Sequence, residues 1–132
     1  MELKEIIQNY FKEIDWNIEP KQLYTPISYA LESGGKRLRP MLTLMATKLF
    51  GGDINKAMPA AVALEIFHNF TLLHDDIMDR ADMRRNRPTV HVKWDDNTAI
   101  LSGDAMLIKA YQYLSKTETD KKEEILDLFT TT

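Results

Sequence analysis

Apolar residues recur at helical spacing from one end of the chain to the other, and strict alternation of apolar and polar positions is scarce. That periodicity predicts an all-helical protein with no need for β structure. Leu3, Ile6, Ile7, Tyr10, Phe11 and Ile14 form the apolar stripe of a first amphipathic helix, and Pro20 lies in the break after it. Pro26 opens a second helix through Leu31, closed by Gly34 and Gly35. Pro40 suits the first turn of a third, with Met41, Leu42, Leu44, Met45, Leu49 and Phe50 apolar and Gly51-Gly52 as its stop. A fourth helix is expected from near Pro59 to about Arg80, a fifth from about Asn97 through Leu114, and a short sixth from Lys121 to Phe129.

The fourth helix departs from simple amphipathicity. At about 100° per residue, Glu65, His68, Asn69, Leu72, Asp75, Asp76 and Asp79 fall in one sector of roughly 120°. The remaining surface carries Ala61, Val62, Ala63, Ile66, Phe67, Phe70, Leu73 and Ile77, as in a helix packed by neighbours on most sides. Its polar sector is therefore expected to face a cavity in preference to open water.

Composition narrows the chemistry. The 132 residues are 44% hydrophobic, enough for one domain with a sizeable core. With no cysteine there is neither a disulfide framework nor a thiolate metal site, and a cytoplasmic location is the expectation. The net charge of -3 gives no global signature of nucleic-acid binding, so any anion site must be local. Glu2, Lys4 and Glu5 interrupt the first turn where a signal peptide would need an apolar run, and charges break every apolar stretch before it reaches membrane-spanning length.

Three segments carry candidate chemistry. Asp75 and Asp79, four residues apart in His74-Asp75-Asp76-Ile77-Met78-Asp79, project from one face about 6 Å apart along the axis, a spacing that suits shared ligation of a hard cation. Carboxylates at a helix C-terminus oppose both each other and the macrodipole, so something positive is expected there. Magnesium fits, since it takes one or two carboxylates together with water and substrate phosphate. A solvated acidic helix end is the plain alternative. Gly34-Gly35-Lys36-Arg37-Leu38-Arg39-Pro40 combines flexible backbone, three cations and a helix N-terminus, a phosphate-binding arrangement that is also compatible with a surface loop. Arg84-Arg85-Asn86-Arg87-Pro88-Thr89 is a second basic cluster, able to reach a metal-bound anion or merely to balance the acidic segment. His68 lies two turns before Asp75, about 10 Å along the axis, where it can donate to a second phosphate group. His74 and His91 lack metal-ligand spacing and are read as structural, as are the methionines and Phe67.

The ordered combination of GGKRLRP, a helix with His68 and DDIMD, and RRNRPTVH strongly resembles the trans-isoprenyl diphosphate synthases (polyprenyl synthetases), from Gly34 to about Asp104. The resemblance implies a helical bundle of the isoprenoid synthase type, here incomplete, with residues 1–132 as the N-terminal part of a single domain. It implies Mg2+ held by Asp75 and Asp79, with Asp76 in the same motif, Arg84 against an allylic diphosphate, and Lys36, Arg39, His68 and Arg85 against isopentenyl diphosphate. The implied reaction joins the two substrates into a longer isoprenyl diphosphate. Phe70, five positions before Asp75, implies products of fifteen to twenty carbons, although a straight helix puts it about 140° from Asp75. A terpene cyclase is the second enzyme reading, opposed by Lys36, Arg39 and His68, and a non-catalytic partner subunit is a third. Nucleic-acid binding rests on the two basic clusters alone, and the neighbouring carboxylates oppose it.

Enzymes of this family are more than twice as long and carry a second aspartate-rich motif, which is missing here. After Asp104 the only acidic pairing is that of Asp120 with Glu123, Glu124 and Asp127, which lacks that pattern. The chain is therefore expected to be an N-terminal portion of a longer enzyme. Half a bundle leaves its fourth helix partly uncovered, so the chain is expected to dimerise, rearrange or be marginally stable, with a homodimer as the assembly. Taken alone, the 132-residue chain should be weakly active or inactive, and steady product formation by it would overturn this expectation.

Overall fold

The computed structural model describes residues 2–32 and 35–132, and Gly34 lies outside the described residues. Its elements are α1 (Leu3–Glu13), α2 (Lys21–Glu32), α3 (Leu38–Leu49), α4 (Ile54–Met78), β1 (Met83–Arg84), β2 (Arg87–Pro88), α5 (Val90–Lys93), α6 (Asp96–Ser115) and α7 (Lys122–Thr131). Among the described residues the fold is all-α apart from one hairpin whose strands have two residues each.

The apolar stripe of α1 buries Ile7 and Phe11, with Leu3, Ile6, Tyr10 and Ile14 packed around them. α2 begins directly after Pro20 and carries Pro26 inside it, where the sequence suggested a start at Pro26. A helix-internal proline forfeits one backbone bond and costs about 3 kcal/mol. Here Leu23, Tyr24, Ile27, Ala30 and Leu31 share one apolar face that joins the core, and burying that face offsets the cost. α4 likewise starts five residues before Pro59, because the Asp53 carboxylate caps it by accepting from the Asn55 N–H at 2.9 Å. α3 keeps Pro40 in its first turn and ends as expected, with Gly51 at φ 79° and Gly52 N–H donating to the Thr47 carbonyl at 2.8 Å.

The hairpin and the short α5 were not anticipated. Met83 pairs with Pro88 and Arg84 with Arg87, joined by Arg85 and Asn86 at φ 51° and 63°. Two successive left-handed residues make the tight turn that matches strand twist, and Asn tolerates that conformation better than most residues.

At the centre of the core lies α4, flanked by α3 and α6 and crossed by α2. Its neighbour α6 packs through Ala99, Ser102, Gly103, Met106 and Ala110, mostly small residues that let the two helices approach closely. Ser102 Oγ donates to the Leu23 carbonyl at 2.7 Å and ties α6 to α2. At the far end Phe129 of α7 packs edge-on against Phe67 and Tyr111. No helix among the described residues is long and apolar enough to cross a membrane.

Gly103 of α6 lies against the His74 side chain of α4. A Cβ there would collide with the His74 imidazole, whose Nε2–H donates to the Ile100 carbonyl at 3.1 Å. Gly103→Ala gains up to about 1 kcal/mol of helix propensity but must displace that ring, and overpacking costs about 1–3 kcal/mol. Net destabilisation is therefore expected, read as a lower midpoint in urea unfolding. An unchanged or raised midpoint would show that His74 swings away freely.

Candidate active site

The polar sector of α4 divides in two. Glu65, Asn69 and Asp76, centred at about 40° on the wheel, are buried, whereas His68 and Leu72 are half-buried and Asp75 and Asp79 exposed. The expectation that the sector faces a cavity is thus corrected for two of its residues: Glu65 and His68 line a cleft and Asn69, Leu72 and Asp76 a small cavity, whereas Asp75 and Asp79 stand in the open. Asp75 and Asp79 make no side-chain hydrogen bond or ion pair among the described residues.

Two features hold the acidic end in place. Arg80, at φ 51°, occupies the left-handed position past the helix end that glycine usually takes. Beyond it, Ala81 N–H donates to the Asp76 carbonyl at 2.9 Å and Arg80 N–H to that of Ile77 at 3.2 Å. The chain then turns back so that Arg84 meets Asp76: Nε donates at 2.9 Å and Nη2 at 2.7 Å, a two-pronged pair with Asp76 nearly buried. Asp76 is committed to this arginine, unlike Asp75 and Asp79. The Arg84 guanidinium, in turn, is held firmly protonated by its bonds to Asp76.

The hairpin is anchored at its base. Thr89 Oγ1 and His91 Nε2 both donate to the Ala81 carbonyl, at 2.8 and 2.7 Å. Tyr29 Oη donates to the Pro88 carbonyl at 2.7 Å, and Arg87 stacks 4.0 Å above the Tyr29 ring. Arg87 is thereby held against Tyr29 of α2, beside the small cavity that Asp76 and Arg84 also line. His74 and His91 both bond backbone carbonyls, as structural residues do, and Phe70 packs edge-on between Phe67 and His74.

Lys36, Arg39, His68 and Arg85 line one cleft of about 570 Å³ together with Gly35, Arg37, Leu38 and Glu65. Gly35 is needed there: φ is 103°, and a Cβ would lie 2.8 Å from Arg85 Nη2, so the hairpin tip rests against bare backbone. A second cleft of about 550 Å³ opens on the other side of Arg37, lined by Phe11, Trp16 and Thr25, without a comparable group of cations. Burial, and then the positive charges of Arg39, Arg85 and Arg84, push the His68 imidazole below its ordinary value, against some opposition from Glu65.

Arg37 is the residue whose placement the sequence did not disclose. Counted with Lys36 and Arg39 as a phosphate-facing cation, it points inward instead and is 3% exposed. The signal for it was Glu65, an acidic residue inside a largely apolar run, which needs a counter-charge once buried.

As for a metal, no cluster of three or more His, Asp or Glu side chains is gathered among the described residues. Asp75 and Asp79, unpartnered, oxygen-bearing and one turn apart, fit a hard divalent cation that keeps open positions for water or phosphate.

The helix order, the long central α4 with acid at its end and the cation-lined cleft beside it define an all-α fold of the isoprenoid synthase type. The chain belongs to the polyprenyl synthetase family, whose profile matches residues 20–132. It is similar to the geranylgeranyl diphosphate synthase of Methanosarcina mazei, 45% identical over 127 residues that cover 91% of this chain and 39% of that protein. It is also similar to the short chain isoprenyl diphosphate synthase of Methanocaldococcus jannaschii, 42% identical over 95% of this chain and 39% of that protein. A crystal structure of a geranylgeranyl pyrophosphate synthase superimposes with a TM-score of 0.88 at 48% identity, over 99% of this chain and 41% of that one. The chain thus spans about two-fifths of the length of these relatives.

A depressed histidine carries a sign. The folded chain holds fewer protons on His68 than the unfolded chain between the folded value and 6.5, so His68 makes folding less favourable as pH falls through 6.5 toward its folded value. An NMR titration of the His68 ring should therefore give a midpoint below 6.5. A midpoint at or above it would mean that the ring is not buried beside Arg39 and Arg85 in solution as it is in this structure.

Proposed function

We propose that the protein carrying this chain is a magnesium-dependent prenyltransferase. It condenses isopentenyl diphosphate with an allylic diphosphate into a longer isoprenyl diphosphate of fifteen to twenty carbons. The observation that supports this best is the division of one helix between two anion sites: open carboxylates at Asp75 and Asp79, and, two turns away, a cleft lined by Lys36, Arg39, His68 and Arg85. A reaction between two diphosphates needs two such sites.

In this reading Asp75 and Asp79 hold Mg2+, with Asp76 in support. When bound, the metal supplies Lewis-acid stabilisation of the departing diphosphate. Arg84, oriented by Asp76 through Nε and Nη2, has Nη1 left to meet the allylic diphosphate. Lys36, Arg39, His68 and Arg85 bind isopentenyl diphosphate, and a neutral His68 donates a hydrogen bond without adding charge to an already basic cleft. No side chain has to act as a nucleophile, since the isopentenyl double bond attacks the allylic carbon as its bond to the diphosphate oxygen breaks, and loss of a proton then restores a double bond.

Residues 1–132 belong, in the same reading, to the N-terminal part of a single helical domain, and the protein works as a cytoplasmic homodimer. Exposed Ile100, Leu101 and Ile108 on the outer face of α6 support the dimer.

Incorporation of labelled isopentenyl diphosphate into product tests the assignment. Asp75→Asn and Asp79→Asn should each lower turnover about a hundredfold or more, as loss of transition-state charge stabilisation does. Lys36→Ala and Arg39→Ala should act mainly on the KM for isopentenyl diphosphate. Consumption of the allylic substrate alone would point to a cyclase, and no turnover with either substrate to a non-catalytic subunit; either result would overturn the reading.

A further inference from the structure

We propose that Arg37 and Glu65 form a buried positioning pair that fixes the spread of Lys36, Arg39 and His68 around the basic cleft. This rests on the reading of that cleft as a diphosphate site.

The two side chains are 2% and 4% exposed, with Nη1 of Arg37 3.5 Å from Oε1 of Glu65. Their geometry serves placement better than stability. Nη1 and Nε of Arg37 have no properly aligned hydrogen-bond partner among the described residues, and a buried ion pair with such gaps gains little over apolar side chains of similar volume. What the pair does accomplish is convergence of four helices on one guanidinium. Nη2 donates to the Leu31 carbonyl of α2 at 2.6 Å, and the carbon lies 4.6 Å above the Phe11 ring of α1. The Arg37 backbone caps α3, and Glu65 belongs to α4.

Arg37 sits at φ 52° and ψ 35°, a left-handed conformation that costs a non-glycine residue energy and persists where side-chain contacts over-determine it. That backbone turn sends the Arg37 side chain inward while Lys36 and Arg39 stay exposed at the cleft. On the α4 side, Asn69 Nδ2 donates to Glu65 Oε1 at 3.0 Å and to the Glu65 carbonyl at 2.9 Å. Glu65 is thereby locked one turn below His68. Arg37 and Glu65 thus link the loop that carries two of the cations to the helix that carries the imidazole, and Glu65 offsets the charge of Arg37 so that it does not add to the crowd of cations.

The test uses two probes on the whole protein. Inorganic pyrophosphate, titrated calorimetrically with chelator present, reports the cleft without metal, and Mn2+, followed by EPR, reports Asp75 and Asp79. In Arg37→Met/Glu65→Leu, pyrophosphate should bind about ten- to a hundredfold more weakly, the range expected when supporting residues misplace a site by about an ångström. Mn2+ affinity and the melting temperature should stay close to those of the unaltered protein, which a merely structural role would not allow. Glu65→Gln, isosteric and still able to accept from Asn69, leaves the buried Arg37 charge without its acid and should lower the melting temperature, but if the double variant does not fold it should show the same selective loss of pyrophosphate affinity, with Mn2+ affinity kept, when measured below that temperature. Equal pyrophosphate affinity in a folded variant would overturn the positioning role and leave the cleft assignment standing. Failure of the unaltered protein to bind pyrophosphate would overturn the cleft reading and the pair's role with it. Loss of fold in both variants would make the pair a stability element and also overturn the proposal.

Discussion

Burial of polar groups on the inner side of α4 is the constraint on which the rest of the structure depends. Glu65, Asn69 and Asp76 are all nearly inaccessible to water, and a buried carboxylate without a partner is expensive enough to unfold a domain of this size. Each acid must be met by a cation from elsewhere in the chain. Arg37 arrives from the segment before α3 and Arg84 from the hairpin after α4. Both segments flanking α4 are thereby drawn onto the same face of one helix. The basic residues beside those two arginines, Lys36, Arg39 and Arg85, are carried there with them, and the cleft is a consequence of this electrostatic matching.

The same constraint separates residues that are adjacent in sequence. Asp75 and Asp76 differ by about 100° of helix rotation, enough to put one in open solvent and the other against Arg84. Close packing of α6 on the opposite side, made possible by Gly103 and its small neighbours, leaves α4 no freedom to rotate and average the two environments. A motif of three aspartates therefore presents two free carboxylates and one structural carboxylate. The helix C-terminus makes those free carboxylates less comfortable still, since its dipole is negative there.

How far the sequence discloses this depends on the kind of signal. The apolar residues of α1, α3 and α6 are densely spaced at helical intervals, and the extents they predict agree with the structure to within about two residues. Pro26 and Pro59 mislead because proline is favoured in the first turn of a helix, and position alone does not tell a first-turn proline from one paid for by burial farther in. Asp53 was the better marker for the start of α4. The hairpin escaped notice since its strands have two residues each, too short for any periodicity, and its turn uses Arg85-Asn86 without glycine. For the site, residue types and segments were legible, but side-chain direction was not. Nothing local distinguishes inward Arg37 from outward Lys36 and Arg39; the difference is set by Glu65, 28 positions later in the numbering.

The two candidate anion sites differ in what they demand of a ligand. Lys36, Arg39 and Arg85 surround the cleft, and Glu65, the one acid among its described lining residues, is engaged by Arg37, so a diphosphate entering there meets a net positive charge. The face of Asp75 and Asp79 is the reverse: two free carboxylates repel an anion until a cation neutralises them, and Arg84 cannot do so alone because Asp76 already claims its charge. A rigid α4 holds His68 and Asp75 about 10 Å apart along its axis, comparable to a Debye length at physiological salt, so each site keeps its own sign. In the proposed reading, metal dependence belongs to the end of the helix that carries Asp75 and Asp79. Pyrophosphate affinity at the cleft should stand without divalent cations, and affinity at the aspartates should appear only with them.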